Sequence, residues 1–519
     1  MSPRSRLWKG LAVVLVLGVL AGCGGGGSDE SPAAGAVDDS AVLRAGWTVG
    51  PTSLDPHMAT AEVVWFRFGM TSIYDRLFTV NAAGEVEGML VDSWEYTEDG
   101  LQLTMTLRED VTFRDGTPLD ASAVKLSLDR ARTQQSPVVK ARMAAVTAVE
   151  VPAPYEVRLT LDGPTPAVPY ILAENSGFIL HPDLVTSGDP ATETNGSGAY
   201  SVESFTPGES LVLVRDRTDY WDPEAAKIAR IEHRAVPDFQ AFSNALAAGQ
   251  IDIGQFQPNN VASIEGRRGL QAVPVPQGIS SDLLFNRAVA PMDDLRVRQA
   301  INLAIDREAI TQALYPGSEP KYQYYREGLQ GHDPSLGPIG RDVERAKALL
   351  AEAGHPNGVD LGEMLVSTAT TAGLLDVVLE QLAEVGIRAD AVTVDALQIF
   401  PRWAEGRSAA LLQFSSTGLE PGAGASTSWG PQLNPAGTTP EFDRILAAAA
   451  DNRLSQEERN AGYQELNRFL REQAWSSPIT WINYPWVMTE RLQGFSAEMD
   501  YATTLGPYDF RYLSMQADS

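Results

Sequence analysis

The chain has 519 residues, 44% of them hydrophobic and 21% charged, which is ordinary globular composition and enough for roughly three domains or lobes. A formal charge of −27 argues against a nucleic-acid binder, which would present basic faces to phosphates. With Cys23 as the only cysteine, no intramolecular disulfide can form.

The amino terminus reads as an export leader. Arg4, Arg6 and Lys9 precede an apolar run, Leu11 to Leu20, that is too short to span a bilayer comfortably. The run ends in Leu20-Ala21-Gly22-Cys23, which resembles a bacterial lipobox. Residues 1–22 are therefore expected to be a signal peptide, and Cys23 the lipidated first residue of the mature chain. Loss of the leader leaves 37 basic against 67 acidic side chains, a charge of −30 that suits a solvated surface. Residues 23–41, opening with Gly24 to Gly27, read as a flexible tether.

Residues 43–50 suggest a first strand, followed by the turn Leu54-Asp55-Pro56 and a helix through Val63, Phe66, Met70 and Ile73. From Leu101 to Leu107 apolar and polar residues alternate strictly, the period of a half-buried strand, and Asp99-Gly100 before it is hairpin chemistry. Asp120 is placed to cap a helix carrying Val124, Leu126, Leu128 and Ala131. Val157, Leu159 and Leu161 alternate as a further strand, after which Pro164, Pro166 and Pro169 are expected to break any regular element. Leu211 to Val214 suggests another strand, and Phe242, Ala245 and Leu246 share a helical face that ends at Gly249. Val297, Ile301, Ala304 and Ile305 form an apolar stripe, and helices over 343–353 and 375–385 stop at Gly354 and Gly386. Ile387 opens a strand. Phe442, Ile445 and Ala449, then Tyr463, Leu466 and Leu470, mark two C-terminal helices.

Several of these stretches carry a shared wording. Ser93-Trp94, Asp99-Gly100, Leu107-Arg108, Val111, Phe113, Asp115-Gly116, Pro118, Ala121 and Val124 are similar to the signature of the peptide/nickel-type extracellular solute-binding proteins (family 5) that serve ABC importers. Asn195 to Tyr200, Asp219-Tyr220-Trp221, Arg296 to Ala300, Ala304 to Arg307 and Ala346 to Gly354 extend the resemblance from about residue 43 to about 495. The resemblance implies an α/β, periplasmic-binding-protein-like fold: two hinged lobes plus an extra N-terminal subdomain. Lobe I would comprise 42–80, 190–279 and 480–519, the inserted subdomain 81–189, and lobe II 280–479. It further implies a monomer anchored to the membrane by lipid, a small solute or short peptide held between the lobes, ABC permease subunits as partners, and no cofactor.

The same resemblance nominates Trp65, Tyr200, Asn286, Arg402, Phe414, Thr417, Glu420 and Trp429 as ligand-binding candidates. Peptide binders of the family read about G-W-x-x-D-Y-x-D/E-P where this chain has Gln413 to Pro421, and their first Asp pairs with the ligand's ammonium. Here Phe414, Thr417 and Gly418 replace the Trp, Asp and Tyr, and only Glu420-Pro421 fits. A charge-assisted hydrogen bond contributes roughly 1.5–3 kcal/mol and a neutral one about 1, so ordinary peptide capture is weakened as an expectation. The aromatic candidates have core packing as their competing role.

Ser122-Ala123-Val124-Lys125 has the S-x-x-K spacing of acylating serine enzymes but lacks the companion motifs, so a secreted hydrolase is disfavoured. The five histidines show no metal-ligand spacing. A solute-sensing receptor without transport stays open.

Overall fold

The computed structural model describes residues 36–517 except 59–63, 82, 134–135, 265, 277, 369, 371–372, 396–397, 419, 432 and 496–508, with the side chains of 64–67 and 137–138 also outside the description. The leader, Cys23 and most of the tether therefore lie outside the described residues, as does the Trp65 side chain.

Three larger sheets organise the chain. The first is seven-stranded, in the order Leu270–Val275, Tyr484–Thr489, Ile253–Gln255, Val42–Trp47, Arg230–Ala235, Ser210–Val214, Ser201–Thr206. Its central strand, Val42–Trp47, runs parallel to both neighbours and is buried at Leu43, Ala45, Gly46 and Trp47, as expected for a strand covered on both faces. The second is six-stranded, in the order Glu319–Pro320, Ser476–Trp481, Ile279–Phe285, Ala410–Ser416, Val359–Ser367, Ile387–Val394. The third is four-stranded: Val91–Tyr96, Gln102–Leu107, Glu156–Leu161 and Val146–Ala153. Each sheet has its own apolar core.

Local chemistry explains most elements. In Gln102–Leu107 the apolar residues Leu103, Met105 and Leu107 are buried, and the preceding turn holds Gly100 at φ +73°, where a side chain would be strained. Asp120 caps the helix Ala121–Thr133 by accepting from the amides of Ser122 and Ala123 at 2.9 and 3.0 Å. The helices Leu295–Ala304, Val343–Glu352, Leu374–Glu384, Pro440–Ala449 and Gln456–Glu472 follow their apolar stripes. One expectation fails: the proline-rich stretch after 161 contains the helix Ala167–Leu172. Pro169 falls within its first turn, where backbone amides have no intrahelical acceptor, so the ring costs no hydrogen bond.

The two larger sheets are joined where the chain crosses between them. Val275 pairs with Tyr484 at the edge of the seven-stranded sheet, and Ser280 pairs with Trp481 in the six-stranded one. Only residues 276–279 and 482–483 lie between these pairs, and the Ile482 amide donates to the Ile279 carbonyl at 2.9 Å. Asn483 steadies the crossing: its amide nitrogen donates to the Gly317 carbonyl at 2.8 Å, and its oxygen accepts from Arg326 at 2.9 Å.

Candidate functional site

Strand direction locates the cleft. In the seven-stranded sheet, Gln255 pairs with Trp486, so the parallel strands point their carboxyl ends toward the Tyr484 side, where the crossing lies. In the six-stranded sheet, Ser416 pairs with Ile279, so the parallel strands 359–367, 387–394 and 410–416 also end at the crossing. Ligands of open α/β sheets bind beyond the carboxyl ends of the strands. Here two such edges face a common hinge.

The stretch Phe414–Pro421 sits at that edge. The Thr417 amide donates to the Gly278 carbonyl of the crossing at 3.3 Å, and Thr417 is only 2% exposed. Glu420 caps the helix Pro421–Ser428, accepting from the Ala423 amide at 2.6 Å and from the Tyr463 hydroxyl at 2.5 Å. Burial pushes the Glu420 carboxyl up, against the opposing effect of those donors and of Arg459. The helix can approach this closely because Gly424 has no side chain: a Cβ there would lie 1.6 Å from the Thr417 carbonyl oxygen.

The nominated residues divide into two groups. Phe414, Thr417, Glu420 and Trp429 come from one strand end and the helix after it. Asn286 and Arg402 lie toward the opposite end of strand Ala410–Ser416, whose ends are about 20 Å apart at roughly 3.3 Å per residue. Asn286 donates to the carbonyls of Gly406 and Ser408 at 2.9 and 3.1 Å, and Arg402 Nη2 donates to both carboxylate oxygens of Glu363 at 2.9 and 3.0 Å. Tyr200 is buried in the core of the seven-stranded sheet, its hydroxyl donating to the Ile228 carbonyl at 3.0 Å. Phe414 is half-buried against the core of the six-stranded sheet. Trp429 packs edge-on against Trp475 at 5.4 Å; its indole N–H has no partner, and the residue lines a cavity of about 30 Å³ beside Asp282, Lys321 and Tyr324.

Other residues reach this region without any signal in the sequence. Tyr96 and Tyr170, from the four-stranded unit, come close enough for the Glu420 charge to raise their hydroxyl pKa values further, although burial dominates both shifts. Tyr325 donates to the Pro421 carbonyl at 3.0 Å. The turn Leu54-Asp55-Pro56 is committed internally, since Asp55 receives Arg130 at 2.6 and 3.0 Å. Arg130 also donates to His57 Nδ1 at 2.9 Å, and His57 Nε2 donates to the Phe178 carbonyl at 3.2 Å. Burial, aided by Arg130, lowers His57 to about 4 and keeps it neutral. No group of His, Cys, Asp and Glu able to hold a metal occurs among the described residues. Ser122 is exposed, and Lys125 is engaged by Asp129 at 2.6 Å and the Val149 carbonyl at 2.8 Å, so these two do not form a nucleophile pair.

Two sheet-centred lobes whose strand ends face a common crossing are the architecture of a binding protein. The chain belongs to the bacterial extracellular solute-binding proteins, family 5, whose middle region matches residues 85–430. It is a binding protein and not an enzyme. The glutathione-binding protein GsiB of Salmonella paratyphi A is 28% identical over 457 residues, covering 84% of this chain and 86% of GsiB. Among solved structures, NikA from Brucella suis in complex with Fe(III)-EDTA superposes with a TM-score of 0.80 at 24% identity, covering 91% of this chain and 99% of NikA. DppA from Helicobacter pylori in complex with the peptide STSA gives 0.75 at 21%, covering 92% and 98%. These likenesses establish the α/β, periplasmic-binding-protein-like fold.

Proposed function

We propose that this protein captures a small organic solute or short peptide between its lobes and delivers it, chemically unchanged, to the membrane subunits of an ABC permease. The observation that carries the reading is the convergence of strand carboxyl ends from both sheets on the two-segment crossing at 276–279 and 482–483. Strand membership supports the division into lobe I (42–80, 190–279 and 480–519), an insert (81–189) and lobe II (280–479), except that Thr480 and Trp481 pair in the six-stranded sheet and Phe78 and Val80 pack in the core of the insert. The ligand-facing candidates are Phe414 and Thr417; Trp65 stays a nominee of the sequence alone, its side chain lying outside the described residues. Cys23 carries the lipid that keeps the receptor at the outer face of the membrane.

Thr417 bears no charge, so the site does not favour a peptide held by its free ammonium. Glutathione heads the test panel because relatives at 28% identity carry that name; short peptides and metal chelates follow. A true ligand raises the melting temperature in step with RT ln(1 + [L]/Kd). It also contracts the scattering profile and leaves the protein unaltered by mass spectrometry. A guest recovered cleaved, or one that binds without any contraction, would defeat the proposal. Loss of labelled-solute uptake on gene deletion separates transport from sensing.

A further inference from the structure

Away from the crossing, the lobe around the six-stranded sheet touches the four-stranded unit at a second place. Asn452, in the turn between helices Pro440–Ala449 and Gln456–Glu472, donates its side-chain amide to the Gly100 carbonyl at 3.0 Å and the Thr165 carbonyl at 3.2 Å. The Tyr96 side chain of the four-stranded unit also meets the Asn452 side chain. The approach is tight: a Cβ on Gly100 would lie 2.3 Å from Asn452 Oδ1 and 3.1 Å from the Arg453 side chain. Nearby, a Cβ on Gly84 would lie 3.1 Å from Leu329. Gly100 belongs to the hairpin turn between Val91–Tyr96 and Gln102–Leu107, and Thr165 lies in the short link between strand Glu156–Leu161 and helix Ala167–Leu172.

We infer that Asn452 is a closure latch: it bonds the six-stranded lobe to the four-stranded unit and sets how much of the receptor is closed before ligand arrives. The amide orientation is dictated, because the opposite flip would point its oxygen at two carbonyl oxygens. The latch is also weak. Oδ1 is buried without a donor, and that unpaired acceptor offsets part of what the two donated bonds contribute. A weak latch suits a receptor that must reopen. Apparent affinity scales with the binding-competent fraction, so a residue outside the site tunes it through the closed population. This inference extends the proposed receptor function, but its test needs no ligand.

Spin labels at Glu98→Cys and Glu457→Cys, both exposed positions, report the separation of the two units by double electron–electron resonance in the full chain carrying Cys23→Ser. We expect a short-distance population in the ligand-free protein. Asn452→Ala should lower the closed-to-open ratio by about fivefold, in keeping with the loss of two neutral hydrogen bonds and one unpaired acceptor. Asn452→Asp, which sets a carboxylate against two carbonyl oxygens, should lower it further. Unchanged melting temperatures confirm that both variants fold. A short-distance population absent from the parent, or equal in parent and both variants, overturns the latch. Failure to find any transported solute would overturn the receptor reading alone.

Discussion

The Tyr463 hydroxyl donates to the Glu420 carboxylate, so that a residue nominated for ligand binding is held from behind as a helix cap. Glu420→Ala removes the cap and strands a buried hydroxyl, and should cost about 2–4 kcal/mol in urea unfolding. Glu420→Gln keeps an acceptor and removes a buried charge, and should cost under about 1 kcal/mol. Equal losses for the two would show that the carboxylate is not acting as a cap.

Arg511 lies between Asp75 and Asp509, at 2.8 Å from each, with all three side chains no more than 1% exposed. Tyr220 and Trp221 complete the shell by donating to Asp75 at 2.7 and 3.2 Å. Arg511→Met leaves two carboxylates buried together and should destabilise by about 3–5 kcal/mol. By contrast, Arg444→Met breaks fully exposed pairs with Glu441 and Glu465 and should leave the urea midpoint unchanged. Similar midpoints for the two variants would remove the distinction.

Acid should weaken the fold before its carboxylates protonate. Burial lowers His57 to about 4 and His233 to about 3, against 6.5 for the free side chain. Below pH 6.5 the unfolded chain therefore binds protons that the folded chain refuses. Stability from these groups is complete above pH 6.5 and is lost as pH falls toward 4, by up to about 1.4 kcal/mol per pH unit for each histidine. Glu420, shifted upward by burial, contributes with the opposite sign over part of this range. His233→Phe keeps the stacking with Phe510 and should flatten the slope by one histidine's share; an unchanged slope in urea unfolding between pH 7 and 4.5 would refute the assignment.

Cys23→Ser should move the protein from the membrane fraction to the soluble extracytoplasmic fraction and abolish incorporation of labelled palmitate. Retention of label by the variant would rule out the anchor proposed for this position.

Periodicity made the helices legible, and the Asp99-Gly100 and Asp120 signals placed their turn and cap correctly. The helix Ala167–Leu172 was hidden because proline inside a first turn breaks nothing, a distinction that counting prolines cannot make. The family words were legible as well, but several record fold and not ligand. Asn286 is spent on two carbonyls and Tyr200 on a third. Tyr96, Tyr170 and Asn452 were illegible because their proximity to residue 420 or 100 arises from contacts hundreds of positions apart, and the Tyr463 contact with Glu420 spans 43 positions, with no local pattern to announce any of them.

The hydrogen bond between Ile482 and Ile279 has an evolutionary corollary. The polypeptide departs for the six-stranded sheet and returns to the same spot, making everything in between a single uninterrupted excursion. Such a cassette can be exchanged whole by recombination, or swapped by an engineer, with two adjacent splice points and no rewiring of the remainder. Half of the cleft wall travels with it, giving descendants a short genetic route to a new diet.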